Sequence, residues 1–188
     1  MKPKILGPFL MTATLLLSGA ASAANGPKPA LQGDAAIADH VRHEIVTYPY
    51  YGIWDAVNFQ VNDGSVVLSG AVTEPWKKAA IGSSVKHIAG VTSFSDQIEV
   101  LPLSPMDNQL RVQLARAIYR DPVLSRYSIE AVPPIHIIVD HGHVTLEGVV
   151  HDQQEKEVAG LRAASTGLSF GPITNNLRIE MPTAPKKG

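Results

Sequence analysis

The stretch that decides the fold is VNDGSVVLSGAV (61–72), which recurs as VDHGHVTLEGVV (139–150). The two copies share the pattern V-x-x-G-x-V-x-L-x-G-x-V at a constant offset of 78 residues (139 − 61). Alternating apolar residues on both sides of a glycine predict two antiparallel strands joined by a tight turn. An ordered repeat of this kind predicts two copies of one structural unit.

The segments around the hairpin repeat in the same order. Before it, each copy has apolar residues spaced four apart, as on one face of a helix, at Ile37, Val41 and Ile45 and again at Leu110, Leu114 and Ile118. After it, each copy continues with a second helix and a closing strand, and a segment with two prolines (LPLSP, 101–105) separates the copies. The expected fold class is α+β. Two tandem α-β-β-α-β domains, at 34–102 and 106–181, would each have a three-stranded sheet covered on one face by two helices.

Strand alternation gives each sheet an apolar face toward its helices and a polar face away from them. In the first domain we expect helices near 34–47 and 75–89, and strands near 56–61, 65–72 and 95–101. The residues expected to face the helices are Val57, Phe59, Val61, Val66, Leu68, Ile98 and Val100, and in the second domain Ile135, Ile137, Val139, Val144, Leu146, Leu177 and Ile179.

This order of elements, with Gly90-Val91 before the closing strand, resembles the BON domain, a family named for an osmotically induced periplasmic protein and for nodulation proteins. The resemblance covers nearly all of both repeats. It implies a non-enzymatic periplasmic protein that binds phospholipid surfaces or assists envelope proteins under osmotic stress. The second copy departs from the pattern, since it has Gly167-Leu168-Ser169-Phe170 where Gly-Val is usual.

The N-terminus has the pattern of an export signal. Lys2 and Lys4 precede an apolar run, and small residues follow with an Ala-x-Ala site that predicts cleavage after Ala23. We therefore expect a signal peptide at 1–23, a flexible segment at 24–33 and a flexible tail at 182–188. A periplasmic location is expected, with secretion as the alternative. The chain has no cysteine, which excludes disulfides, thiolate chemistry and lipid attachment through cysteine.

Charge and hydropathy exclude two further classes. Of the 16 basic residues, Lys2 and Lys4 lie in the signal, which leaves 14 against 17 acidic residues. Nucleic-acid binding domains are usually strongly basic, so nucleic acid is not an expected partner. No segment of the mature chain is apolar enough to span a bilayer, which takes about 20 residues.

Two surfaces are candidates for contact with anionic phospholipid or envelope proteins. The segment YPYYGIWD (48–55) holds Tyr48, Tyr50, Tyr51 and Trp54, whose apolar bodies and polar tips suit membrane interfaces. The same side chains could instead fold back as a lid on the small core. In the second copy, the arginines that could meet anionic headgroups are Arg111, Arg116, Arg120 and Arg126.

The histidine-rich hairpin raises the question of a metal site. His136, His141 and His143 are weak candidate ligands, because a metal site wants three or four converging groups. The first copy has Asn58, Asp63 and Ser65 at the matched positions, so the fold does not depend on these histidines. No cofactor is expected.

The glycines of the repeat have a structural interpretation. Gly64 and Gly142 suit the positive φ of a tight turn, while Gly70 and Gly148 suit a bulge or a close backbone approach. Their spacing does not match a phosphate-binding loop. The serines have no nucleophile-elbow motif around them, and an enzyme is not expected.

Overall fold

The computed structural model describes residues 33–167, 169 and 171–180, and it has two domains in tandem. The first domain contains α1 Asp34–Val46, β1 Ala56–Asn62, β2 Ser65–Val72, α2 Pro75–Lys86 and β3 Ser93–Val100. The second domain contains α3 Pro105–Tyr119, a 3₁₀ helix Ser125–Ile129, β4 Ile135–Asp140, β5 His143–Val150, α4 Gln153–Ala164, β6 Thr174–Asn175 and β7 Arg178–Ile179. This order confirms the α+β fold class and the tandem repeat.

Each domain is built around its central hairpin. β1 pairs antiparallel with β2, which pairs parallel with β3, so the order in the first sheet is β1-β2-β3. The second sheet has the same order, but its last strand is divided into β6 and β7, which both pair with β5. The break falls at Asn175 and Asn176. The Asn175 side chain donates to Lys156 O (2.7 Å) and accepts from the Leu177 amide (3.3 Å), and the regular pairing with β5 is interrupted here.

The hairpin turns are clamped by an aspartate at the start of the preceding helix. Asp34 accepts hydrogen bonds from the amides of Asp63 (2.8 Å) and Gly64 (2.9 Å). Both turn residues have positive φ, 49° and 76°, as a two-residue type I′ turn requires. The second domain repeats this clamp with Asp107 of α3. A polar contact therefore fixes how each first helix sits on its sheet.

A second glycine in each hairpin allows close approach of the strands. Gly148 has φ 117°, and a Cβ there would lie 1.9 Å from the carbonyl oxygen of Pro134. Gly70 occupies the matched position with φ 103°, and a Cβ there would lie 2.1 Å from Ala56 O. Only glycine fits such a position without displacing the backbone.

Each domain has its own apolar core between its sheet and its two helices. The first is formed by residues from α1, α2 and all three strands, with Val41, Val66, Leu68 and Val85 fully buried. The second is centred on Leu114, Ile137 and Leu146. Two residues expected to face the helices are exposed rather than buried: Val100 is 39% exposed and Ile179 is 43% exposed. Val100 is the last residue of β3, and Ile179 is the last residue of β7.

Several expectations lie outside the described residues. These are the signal peptide at 1–23, all but Gly33 of the expected flexible segment at 24–33, the C-terminal tail at 182–188, and Leu168 and Phe170.

Candidate functional site

The aromatic loop (residues 48–55) divides its side chains among three environments. Tyr48 and Tyr51 pack against the core of the first domain, as a lid would. Trp54 packs against the core of the second domain. Tyr50 is 63% exposed. The lid interpretation therefore holds for two of these four residues, while Trp54 joins the domains and Tyr50 faces solvent.

An aromatic patch forms where this loop meets the first turn of α2. We use this name for Tyr48, Tyr50 and Trp76. The rings of Tyr50 and Trp76 are 5.1 Å apart between centroids and edge-to-face at 89°, and Tyr48 lies 6.0 Å from Tyr50 and 6.5 Å from Trp76. Trp76 is 47% exposed. Sequence reasoning missed Trp76, although its place beside Pro75 in an exposed first helical turn was a usable signal.

A buried ion pair fixes the base of the aromatic loop. Asp55 is completely buried and accepts hydrogen bonds from Lys77 Nζ (2.7 Å) and from the Gly52 amide (3.1 Å). It also accepts from the amide (2.9 Å) and hydroxyl (3.0 Å) of Thr73, and that hydroxyl contacts Lys77 Nζ at 2.9 Å. A buried charge is tolerated when it is paired and hydrogen-bonded in this way. The loop is consequently tied to both β2 and α2.

The second domain also has an ion pair at the start of its second helix, but there the helix supplies the acidic partner. The position of Lys77, 78 residues on, is occupied by Glu155, which is 4% exposed. Glu155 is paired with Arg126 and accepts hydrogen bonds from the Tyr127 hydroxyl (2.5 Å) and the His151 amide (2.8 Å). Both domains therefore have an ion pair at this position of the second helix, with lysine on the helix in the first domain and glutamate on the helix in the second.

The loop also contacts the second domain directly. The carbonyl of Ile53 accepts a hydrogen bond from the amide of Ile137 at 2.7 Å. His136 Nδ1 lies 3.2 Å from the carbonyl oxygen of Gly52, and its ring packs against that of Tyr51 with centroids 5.3 Å apart. Burial lowers the pKa of His136 and raises the pKa of Tyr51 to about 12, so both stay neutral at neutral pH.

The histidines do not converge. His136 faces the first domain, whereas His141 is a turn residue with φ 49° whose amide donates to Asp107 at 3.1 Å. Asp107 also accepts from the amide of Gly142 (2.9 Å), which completes the second copy of the turn clamp. His141 Nδ1 contacts Asp140 at 2.6 Å, and His143 is exposed. Across the described residues, no group of three or more histidine or acidic side chains is placed to hold a metal ion.

The four candidate arginines are in different environments. Arg111 is only 5% exposed and donates to the carbonyl of Val139 at 2.6 Å and to Asn108 Oδ1 at 2.5 Å. Burial lowers its pKa, opposed by Asp107. The expectation that Arg111 meets headgroups must therefore be corrected, because its guanidinium caps a strand inside the domain.

Arg116 and Arg120 are exposed near the C-terminal end of α3. Together with Arg162 of α4 they line a shallow basic hollow of about 300 Å³. Arg162 is held there by the buried carboxylate of Asp121, at 2.6 Å. Arg126, the fourth candidate, is engaged with Glu155 and stacks on the ring of Tyr127 at 5.0 Å. Arg116 and Arg120 are therefore the candidates whose guanidinium groups face solvent.

A cleft separates the two domains beside the aromatic loop. Its volume is about 440 Å³, within the range of ligand pockets. Its lining includes Arg42, Val46 and Phe59 from the first domain, and Val132, Pro134 and Arg178 from the second. Glu147 also lines it, and its carboxylate accepts a hydrogen bond from Asn176 at 2.8 Å. Among the described residues, the lining of the cleft therefore carries two arginines and one carboxylate.

A comparison with family models agrees with this architecture. A model described as "BON domain" matches residues 33–102 and again residues 107–181. Two solved structures of CdsD, a structural protein of the type III secretion system of Chlamydia trachomatis, are similar at 18% identity, one of them its C-terminal domain. The two matches cover 77% and 76% of this chain, and 61% and 63% of the respective CdsD chains, with TM-scores of 0.30 and 0.28. No curated protein matches the chain. The two family matches span most of the sequence, and the chain belongs to the BON domain family, with two copies in tandem.

Proposed function

We propose that this protein is a non-catalytic, exported periplasmic protein that associates with phospholipid surfaces of the envelope and contributes to envelope or osmotic stress maintenance. BON domains are associated with phospholipid binding and with envelope stress proteins. In the described residues, none of the helices is long and apolar enough to cross a membrane. In this proposal, contact is made from the folded surface.

The observation that carries the proposal is the aromatic patch. Tyr50 and Trp76 expose large apolar rings with polar tips, the side-chain type that is enriched at membrane–water interfaces. The patch is presented on a loop whose base is fixed by the buried Asp55–Lys77 pair. Side chains that are already ordered lose little conformational entropy on binding, which favours surface association.

Arg116 and Arg120 give the proposal its preference for anionic lipid. Each exposed arginine near a negatively charged surface contributes about 1 kcal/mol, and salt screens this contribution over roughly 10 Å. Association through both features should respond to anionic lipid content and to ionic strength, while association through the aromatic patch alone should respond to neither.

Vesicle flotation tests the proposal. The mature protein should float with vesicles containing phosphatidylglycerol, and the double variant Tyr50→Ser, Trp76→Ser should lose at least about tenfold in affinity, since each ring contributes roughly 1–2 kcal/mol. The matched control is Ile129→Ser, Leu161→Ser, which removes apolar side chains that are 87% and 70% exposed outside the patch. Equal loss in both variants would contradict a specific role for the patch.

A second pair of variants tests the charge preference. Arg116→Gln, Arg120→Gln should weaken flotation at low salt and have little effect at high salt. Arg42→Gln is the control, because Arg42 is exposed but bound to Asp39 at 2.9 Å. Unchanged flotation of the double variant at low salt would remove these arginines from the proposal.

A periplasmic protein-interaction role, as for a chaperone, is the second candidate function. The observation that favours it is a strand edge of the first domain. Among the described residues, this edge is blocked at one position, where the Val57 amide donates to the Tyr51 hydroxyl, and it lacks the carbonyl caps that close the β4 edge.

A further inference from the structure

The other sheet edges carry features that hinder pairing with another chain. At the outer edge of β3 one position is occupied, because Lys78 Nζ donates to the carbonyl of Ile98 (2.6 Å) and Asp96 accepts from the Ile98 amide (3.0 Å). β6 and β7 are two residues each, too short to template a partner strand. Charged side chains and short strands are common protections of edges.

The edge of β4 is blocked at three consecutive outward positions. The carbonyl of Ile135 accepts from the Tyr119 hydroxyl (2.5 Å), and the carbonyl of Val139 accepts from Arg111 (2.6 Å). Between them, the amide of Ile137 donates to Ile53 O. Buried polar side chains of α3 and one segment of the first domain thus occupy this edge.

The edge of β1 lacks the equivalent blocks in the described part of the chain. α1 and α3 match at an offset of 73 residues, which puts Ala38 at the position of Arg111 and Val46 at the position of Tyr119. Neither side chain can cap a carbonyl. Because of these two differences in sequence, the outward carbonyls of β1 have no such caps, whereas those of β4 are capped.

One contact shows which main-chain amides and carbonyls of β1 point away from β2. The amide of Val57 donates to the Tyr51 hydroxyl (3.2 Å), so it points away from β2. Alternation in an antiparallel pair then directs the amides and carbonyls of Phe59 and Val61 outward too. Over the residues that the structure describes, these groups of Phe59 and Val61 have no hydrogen-bond partner.

We propose that the β1 edge, formed by the outward carbonyl of Val57 and the outward main-chain groups of Phe59 and Val61, accepts an extended segment of another polypeptide by strand addition. This inference does not rest on lipid association. Main-chain hydrogen bonds supply the affinity in this mode of recognition, and flanking pockets supply selectivity. The inter-domain cleft runs beside Val57 and Phe59 and provides such a flank.

The occupant is a single acidic segment in extended conformation. The cleft beside Val57 and Phe59 is lined by residues of α1 on one side and by Val132 and Pro134 on the other. Arg42 and Arg178 line the cleft against one lining carboxylate, that of Glu147, and Arg42 also forms an exposed pair with Asp39 outside the lining. The two guanidinium groups favour a peptide that carries carboxylates.

Hydrogen exchange with a defined peptide tests the proposal. The probe is a seven-residue fluorescein-labelled peptide in which three valines alternate with two threonines between terminal glutamates. Its addition should slow exchange of the Phe59 and Val61 amides, while the amide of Ile137, already bonded, should change little. Exchange of Phe59 and Val61 that is unaffected at saturating peptide would overturn the proposal.

Binding variants use the blocks that the second domain already has. Ala38→Arg and Val46→Tyr should each weaken peptide binding, measured by fluorescence anisotropy, and the two together by at least about tenfold. Ala79→Arg, on an exposed position of α2, is the matched control for added charge. If Ala38→Arg does not fold, Val46→Tyr alone decides, since Val46 is 44% exposed and tolerates a larger side chain.

Two further measurements distinguish strand addition from side-chain recognition and from self-association. A peptide N-methylated at alternate residues cannot donate to the edge, and it should fail to bind. Binding that survives N-methylation would show side-chain recognition and overturn strand addition. Sedimentation of the free protein should give a monomer over a broad concentration range. A dimer that Ala38→Arg dissolves would assign the edge to a second copy of this chain and overturn the acidic-peptide proposal.

Discussion

Removal of the Asp55 carboxylate should destabilise the first domain more than any other single polar change. In Asp55→Ala, Lys77 keeps a charge on a side chain that is 11% exposed, and the amides of Gly52 and Thr73 lose their acceptor. Loss of one partner of a buried ion pair costs about 3–5 kcal/mol. The Thr73 hydroxyl can still contact Lys77 and recover part of this, so we expect about 3–4 kcal/mol.

The measurement is urea unfolding followed by circular dichroism. The control is Asp39→Ala, which breaks the exposed pair with Arg42 and should change the free energy of unfolding by less than about 0.5 kcal/mol. The double variant Asp55→Leu, Lys77→Met should be more stable than Asp55→Ala alone, because it leaves no buried charge without a partner.

The same change should also act at a distance. The segment from Gly52 to Asp55 holds the contact between Ile53 and Ile137, so its release should speed exchange of the Ile137 amide. A destabilisation below about 1 kcal/mol in Asp55→Ala, with unchanged Ile137 exchange, would refute the view that this ion pair fixes the aromatic loop.

Two other outcomes are expected. Because burial lowers the pKa of His136, the stability that its neutral form contributes is complete above about pH 6.5 and is lost as the pH falls below that value; the nearby charges of Asp55 and Glu147 oppose the shift more weakly. His136→Asn introduces the residue found at the matched position of the first domain, Asn58. This variant should lose that part of the pH dependence of the free energy of unfolding, measured with urea between about pH 5 and 7. A pH profile identical to that of the unaltered protein would show that His136 is not responsible. Gly148→Ala should cost at least about 2 kcal/mol or prevent folding, because its Cβ would meet Pro134 O at 1.9 Å with φ at 117°; Gly52→Ala, with open space around it, should be nearly neutral, and a neutral Gly148→Ala would contradict the close approach.

The fold was predictable because its determinants are local and occur twice. Alternation around the turn glycines specifies the hairpins, and the four-residue spacing of apolar residues specifies the helices. The departures have local causes as well: Asn175 and Asn176 divide the last strand, and Val100 and Ile179 are exposed at the ends of their strands. These depend on the length of neighbouring elements, which periodicity does not give.

The candidate site was predictable only in part, because its contacts join residues that are far apart in sequence. Tyr50 could be singled out by composition, but its partner Trp76 lies in another element. Arg111 has the character of a surface arginine in the helical pattern, and only the position of Val139 beside it explains its burial. His136 likewise depends on a loop of the other domain for its role.

The most direct test of lipid association through the aromatic patch is depth-dependent quenching of Trp76 by brominated phospholipid. The chain has two tryptophans, so Trp54→Phe leaves Trp76 as the only tryptophan, and excitation at the red edge of its absorption avoids the tyrosines. With phosphatidylglycerol vesicles, we expect a blue shift of this emission and strong quenching by lipids brominated near the headgroup end of the acyl chain. Emission that stays unshifted and unquenched while the protein co-floats with the vesicles would contradict insertion of the aromatic patch.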